Sequence, residues 1–147
     1  MNKNALFQEL RELKIQMILE LKENVRTAHD TVDIDESETI DPEDLSHQFE
    51  GGEMEKLFKE QLKRAEEDLL ALKGLDIAIK DHAVPGSVVF TENFNFIIGI
   101  PALPFQFENT QFVGISTESA IFQEMKGKRS GEMFSHASNI YTISKII

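Results

Sequence analysis

The sequence predicts an α+β protein in which an N-terminal antiparallel α-helical coiled-coil hairpin is followed by a small α+β domain. Two stretches of the first half repeat apolar residues every three or four positions, which is the period of a helix. After residue 81 the pattern changes to short runs rich in Val, Ile and Phe, which are typical of strands. We therefore expect a hairpin domain at 1–78 and a C-terminal domain at 79–147.

The first helix is predicted from about residue 3 to residue 29. Its apolar stripe, spaced mostly four or three residues apart, consists of Leu6, Leu10, Leu13, Met17, Leu21, Val25 and Ala28. No Gly or Pro interrupts this stretch. At about 1.5 Å per residue it would form a rod on the order of 40 Å long.

The second helix carries a regular seam with alternating spacings of four and three. Its members are Phe58, Leu62, Ala65, Leu69 and Leu72. Lys73-Gly74 is a basic last turn followed by a glycine, which is typical of a helix C-terminus. Two such helices joined by a polar connection predict an antiparallel pair.

The start of the second helix is open between two positions. Asp41-Pro42 is a suitable cap and first helical residue, so the helix can begin there. Gly51-Gly52 then interrupts it, at about 1 kcal/mol per glycine relative to alanine. The alternative is a helix that begins only at Glu53.

The C-terminal domain is predicted to contain several strands and one short helix. The strands are expected at 87–91, 95–100, 111–115 and 140–146, after a turn at Val84-Pro85-Gly86. The helix is expected at 119–126 and is ended by Gly127. Strands with a single helix favour a compact α+β arrangement.

Negative charge is concentrated in the connection between the two helices. The chain has a net charge of −11, and residues 30–55 contain 11 acids but no Lys or Arg. These acids are Asp30, Asp33, Asp35, Glu36, Glu38, Asp41, Glu43, Asp44, Glu50, Glu53 and Glu55. We call the segment at about 30–52 the acidic tip.

The composition argues against several classes of function. An acidic chain has no basic excess with which to displace counterions from phosphates, so specific DNA binding is not expected. The chain has no cysteine, which excludes a disulfide framework and thiolate chemistry. No apolar run approaches the roughly 20 residues that span a bilayer. We expect a soluble, cytoplasmic protein without membrane contact.

The C-terminal half carries a motif. The run 116–132 resembles the C-terminal signature of bacterial Gre-type transcript-cleavage factors. The positions in register are Ser116, Ser119, Ile121, Gly127, Lys128, Gly131 and Glu132. The segments 84–89 and 141–146 resemble the opening and closing strands of the same domain. Thr117 and Ala120 stand where the family has prolines. The resemblance implies an N-terminal coiled coil and an FKBP-like C-terminal domain.

The resemblance also implies a function. Gre-type factors insert the coiled coil into the secondary channel of RNA polymerase, where tip carboxylates help to hold Mg²⁺ shared with the polymerase. The nearest match to the family's catalytic element is Asp-Leu-Ser-His-Gln at 44–48, in which Asp44 is retained and His47 replaces the second acid. Asp41 and Glu43 are candidates to substitute for it. Such a chain is not itself an enzyme, because the polymerase supplies the active site, and it holds no cofactor stably.

Lys126, Lys128 and Arg129 form a basic cluster with two interpretations, a dock against the polymerase or a solvated turn.

Three functional alternatives also stay open. A non-cleaving channel regulator of the DksA kind would keep the helical rod and change the tip chemistry. A coiled-coil adaptor unrelated to transcription would use the acidic segment only as a linker. A prolyl isomerase would act through 84–147 alone. The oligomeric state is not predicted.

Overall fold

The computed structural model describes residues 1–32 and 42–147, with the backbone alone at 31, 32, 42 and 44–49. It contains helices and strands in the predicted order, which confirms the α+β class. The elements are α1 Lys3–Val32, α2 Pro42–Gly74, β1 Val88–Thr91, β2 Asn95–Ile98, β3 Ala102–Phe107, β4 Thr110–Ile115, α3 Ala120–Met125, β5 Met133–His136 and β6 Asn139–Ile146. In these described ranges, no helix combines the length and apolar character that crossing a membrane requires.

The chain divides into two compact units. One comprises 12–69, and the other comprises Met1–Arg11 together with Leu70–Ile147. We call them the helical unit and the sheet unit. The predicted domain boundary after residue 78 stays a prediction.

In the helical unit, α1 and α2 pack against each other in opposite directions. Ile18 and Leu21 of α1 form an apolar cluster with Ala65 of α2. Lys14 contacts Asp68 near one end of the pair, and His29 contacts Glu55 near the other. Because residue numbers rise along one helix as they fall along the other, the pairing is antiparallel.

The contact stripe of α1 differs from the predicted one between residues 14 and 18. Met17 is 39% exposed, whereas Lys14 and Ile18 are 6% and 7% exposed. The stripe therefore advances by four residues from Leu10 to Lys14 to Ile18. The sequence pattern missed Lys14 because it counted apolar residues alone.

The second helix begins at Pro42 and continues through Gly51-Gly52 to Gly74. The open choice in the sequence is thus resolved in favour of the earlier start. Pro42 suits the first helical position because that residue needs no backbone N–H partner. The predicted cap, Asp41, lies outside the described residues.

The sheet unit is built on six strands in the order β3-β4-β2-β1-β6-β5. β2 and β4 are parallel, and the other neighbours are antiparallel. Side chains alternate between the two faces, so Val89 joins one apolar cluster and Val88 the other. Phe122 and Met125 of α3 pack into the first cluster. The ends of α1 and α2 pack into the second through Leu6, Phe7, Leu10 and Leu72.

Four predicted strands match β1, β2, β4 and β6, and the predicted short helix matches α3. Ser119 caps α3, since its Oγ accepts a hydrogen bond from Phe122 N at 3.3 Å. Gly127 follows α3 with a φ of 75°, a conformation that favours glycine. Two strands, β3 and β5, were not predicted. Both are edge strands of the sheet.

Candidate functional site

The predicted tip acids fall at the start of α2. Glu43 and Asp44 lie in the first turn of the helix, and the Glu43 side chain is exposed. The third predicted acid, Asp41, lies outside the described residues. Carboxylates in a first turn are stabilised by the positive end of the helix dipole. The structure therefore places Glu43 and Asp44 in the same helical turn. The role predicted for them stays a prediction.

Glu55 holds the two helices together close to the tip. Its Oε1 lies 3.2 Å from His29 Nδ1 and 2.7 Å from Lys59 Nζ. The hydrogen bond from Lys59 is the main reason that the pKa of Glu55 lies below its usual range. Glu55 is thus a member of the acidic segment whose charge is already compensated. Its carboxylate links the two helices and already has partners within the protein, unlike a carboxylate that is free to bind a metal ion.

Magnesium is the metal implied by the resemblance to Gre-type factors. Within residues 1–32 and 42–147, no group of three or more His, Asp or Glu side chains is placed to hold a metal ion. The carboxylates of Glu43 and Asp44 have the hard oxygen donors that Mg²⁺ prefers. Their chemistry fits a metal that is held jointly with another protein, and this assignment stays a prediction.

The predicted basic cluster follows α3, and its three members have different surroundings. Lys126 is the exposed C-cap residue of α3. The Arg129 guanidinium pairs with Asp81, and Asp81 Oδ1 also lies 2.6 Å from His82 Nδ1. Hydrogen bonds from His82 and Arg129 hold the pKa of Asp81 below its usual range. Among the described residues, Lys126 and Lys128 make no ion pair.

Backbone hydrogen bonds fix this cluster to the sheet unit. Ala83 N donates to Lys128 O at 2.8 Å, and Gly127 N donates to Ala83 O at 2.8 Å. Arg129 N donates to Glu132 Oε2 at 2.6 Å. The loop after α3 is therefore held in one conformation. The charges of Lys126 and Lys128 are presented from a rigid base.

Exposed apolar side chains lie near Lys128. Met133 is 55% exposed and Ile140 is 63% exposed. Together with Glu124, Lys128, Phe134 and Ser135 they line a shallow cavity of about 380 Å³. We call the surface formed by Lys126, Lys128, Met133 and Ile140 the α3–β5 surface. Exposed apolar side chains rimmed by polar residues mark candidate protein-binding surfaces.

Sequence reasoning missed two buried lysines. Lys14 pairs with Asp68 in the helical unit, and Lys3 donates to Ala78 O at 2.7 Å in the sheet unit. Lys14 lies four residues after Leu10 and four before Ile18, so the helical period alone could have located it. Lys3 gave no comparable signal, because its partner is a backbone carbonyl 75 residues away.

The fold and these surfaces define an α+β protein with an acidic helical pair and a basic–apolar surface on its sheet unit. No protein-family model matches the chain, and no curated protein matches it. One similar solved structure is the crystal structure of GreA factor homolog 1 (Gfh1) of Thermus thermophilus. The two chains are 17% identical over 93% of this chain and 94% of that chain, with a TM-score of 0.35.

Proposed function

We propose that this protein is a Gre-like regulator that binds bacterial RNA polymerase. The helical pair would form a coiled-coil hairpin whose acidic tip enters the secondary channel, while the sheet unit, an FKBP-like domain, would dock outside. The observation that carries the proposal is the Gre-type signature at 116–132, preceded in the chain by an acidic helical pair.

The charge distribution supports separate roles for the two units, with the helical unit entering the channel and the sheet unit docking outside. The helical unit contains 18 acids and 7 Lys or Arg residues, whereas the sheet unit contains 8 of each. The whole net charge of the chain therefore belongs to the helical unit. A concentrated negative charge is attracted to a positive channel, which speeds association in a salt-dependent way.

Several signature residues have structural roles in the sheet unit. Ser119 caps α3, and Gly127 and Gly131 adopt φ values of 75° and 88°. Ile121 packs against the apolar cluster beneath α3. These roles support the resemblance of the domain itself. They do not bear on polymerase contact, since one fold serves many functions.

In the proposed complex, the tip residues would assist the active site of the polymerase, and the α3–β5 surface would hold the protein in place. A bound Mg²⁺ would polarise the scissile phosphate and lower the pKa of a water molecule. Asp44, with Asp41 or Glu43, would orient that ion against the polymerase site. Lys126 and Lys128 would contact acidic groups on the polymerase, with Met133 and Ile140 packing beside them. Arg129 would contribute less, because Asp81 already balances its charge.

Cleavage of RNA in a backtracked elongation complex tests the proposal. The protein is added at low millimolar Mg²⁺ to a complex made with the polymerase of its own host. We expect faster cleavage, which Asp44→Ala abolishes and the matched variant Glu66→Ala retains. Glu66 is an exposed acid of α2 that lies outside the acidic tip.

One sequence feature favours a second candidate function, a non-cleaving channel regulator. His47 stands where the family has its second acid, so the tip has lost one hard oxygen ligand. This candidate predicts no cleavage but competition with an established secondary-channel factor for the polymerase. Absence of both cleavage and polymerase binding would reject both candidates and leave a coiled-coil adaptor.

A further inference from the structure

A groove in the sheet unit combines an apolar floor with a cationic rim. It has a volume of about 310 Å³ and lies between the first turns of α1 and the chain around the end of α2. Its floor is formed by Phe7, Leu72, Leu75 and Ile77, and Arg11 and Lys73 stand on its rim. All the residues that line this groove belong to the sheet unit.

The floor is anchored in the core of the sheet unit. Phe7 and Leu72 are 4% and 7% exposed, and both belong to the apolar cluster that contains Val88 and Phe112. Leu75 packs partly buried against the same cluster. A floor fixed by core packing does not need to be ordered when a partner binds, which lowers the entropic cost of binding.

The rim carries two positive charges that have no ion-pair partner among the described residues. Arg11 and Lys73 are exposed, and neither makes an ion pair with any residue in 1–32 or 42–147. Two cations beside an apolar floor complement a segment in which carboxylates flank an apolar side chain.

We propose that this groove binds an acidic, apolar segment of RNA polymerase, as a contact separate from the acidic tip and the α3–β5 surface. The inference rests on the proposed function, which supplies the partner. Binding at this groove would fix the start of α1 and the end of α2 against the polymerase. The rest of the helical pair would then enter the channel from an anchored position.

The first test compares the affinity of core RNA polymerase for two double variants. Arg11→Gln/Lys73→Gln removes both charges, and Arg11→Lys/Lys73→Arg exchanges the cations and keeps them. We expect about tenfold weaker binding for the first variant, since two contacts on an interface rim together contribute on the order of 1 kcal/mol or slightly more. The exchanged variant should bind within about twofold of the original chain. Circular dichroism checks that both variants are folded.

The second test locates the partner segment directly. A photoreactive phenylalanine analogue replaces Asn4, an exposed residue that lines the same groove, and a matched variant carries it at Asn109 in the β3–β4 turn. We expect Asn4 to cross-link to a polymerase peptide that contains at least two acids and an apolar residue, and Asn109 not to reach that peptide.

The outcomes separate the inference from the proposed function. If the original chain does not bind polymerase, both the proposed function and this inference are rejected. If the chain binds but Arg11→Gln/Lys73→Gln binds equally well, or if the cross-linked peptide has no acids, only the groove assignment is overturned.

Discussion

At the scale of single residues, Lys14 is the clearest case of a charge placed in an apolar seam. Its side chain is 8% exposed, and its Nζ lies 3.1 Å from Asp68 Oδ2, whose side chain is 28% exposed. A buried charge is tolerated only when it has a partner, because water can no longer solvate it. The pair therefore specifies which residues of α1 and α2 face each other, more than it adds to stability.

Replacing one member of the Lys14–Asp68 pair should lower the free energy of unfolding more than replacing both. We expect Asp68→Asn to lower the free energy of unfolding by about 1–2 kcal/mol, less than for a fully buried pair because Asp68 remains partly solvated. Lys14→Met/Asp68→Leu should be close to neutral or stabilising. Urea unfolding followed by circular dichroism measures both. Equal losses in the single and double variants would contradict a desolvation cost at Lys14.

Lys3 provides a prediction about pH. Burial and the nearby Lys80 lower its pKa from 10.5 to about 8, while Asp76 opposes the shift. Between pH 8 and 10.5 the unfolded chain binds more protons at this residue than the folded chain does. The contribution of Lys3 to stability therefore rises with pH across that window and falls again as pH drops toward 8.

The Lys3 contribution is isolated by comparison with Lys3→Met. The quantity to follow is the difference in unfolding free energy between the two proteins, because contributions that they share cancel in it. We expect that difference to favour Lys3→Met most at pH 8 and to shrink toward pH 10.5. A difference that stays constant with pH would show that Lys3 titrates normally.

At the scale of elements, α2 carries two adjacent glycines in its interior. Helical glycine is unfavourable because the unfolded chain loses more conformational freedom there. Gly51 is buried, whereas a Cβ on Gly52 would meet nothing within 4 Å. The helix is nevertheless continuous from Pro42, so packing against α1 compensates for the local weakness.

Gly52→Ala should accordingly stabilise the protein by about 0.5–1 kcal/mol. Gly114→Ala provides the contrast, because its Cβ would lie 2.7 Å from Ala102 N and would also overlap Ile100 O. That substitution forces β3 and β4 apart and should be destabilising. Thermal unfolding measures both, and a lower midpoint for Gly52→Ala would show that close helix packing also requires this glycine.

The elements predicted from sequence are those with strong periodic patterns, and the missed ones are the two edge strands. β3 contains Pro104, which argues against a central strand but is tolerated at an edge. β5 has only four residues, Met133–His136, of which only Phe134 is buried. Its turn to β6 places Ala137 and Ser138 at φ values of 49° and 66°, without the Asn-Gly pair that usually signals such a turn.

At the scale of the whole molecule, the distribution of charged residues could be predicted from the sequence, but their ion-pair partners could not. The 11 acids of 30–55 are evident in the sequence, yet only the structure shows that Glu55 is paired with His29 and Lys59. The same holds for Arg129, whose partner Asp81 lies 48 residues away. The groove between the ends of α1 and α2 also escaped prediction, because it depends on contacts between distant segments.

Concentration of the net charge in one unit gives the last prediction. If the acidic helical unit steers the protein to a positive channel, the association rate with polymerase should fall by about tenfold as salt increases from about 50 to 300 mM, with a smaller change in the dissociation rate. Stopped-flow fluorescence with labelled protein measures both rates.

Two variants of equal net charge test where the steering charge lies. Glu50→Gln/Glu53→Gln removes two exposed acids at the C-terminal end of the acidic tip, and Glu66→Gln/Glu67→Gln removes two exposed acids farther along α2. The first pair should weaken the salt dependence of association more than the second, because steering depends on charge near the point of entry. Equal slopes would mean that total charge alone governs association, and the acidic tip would then have no steering role.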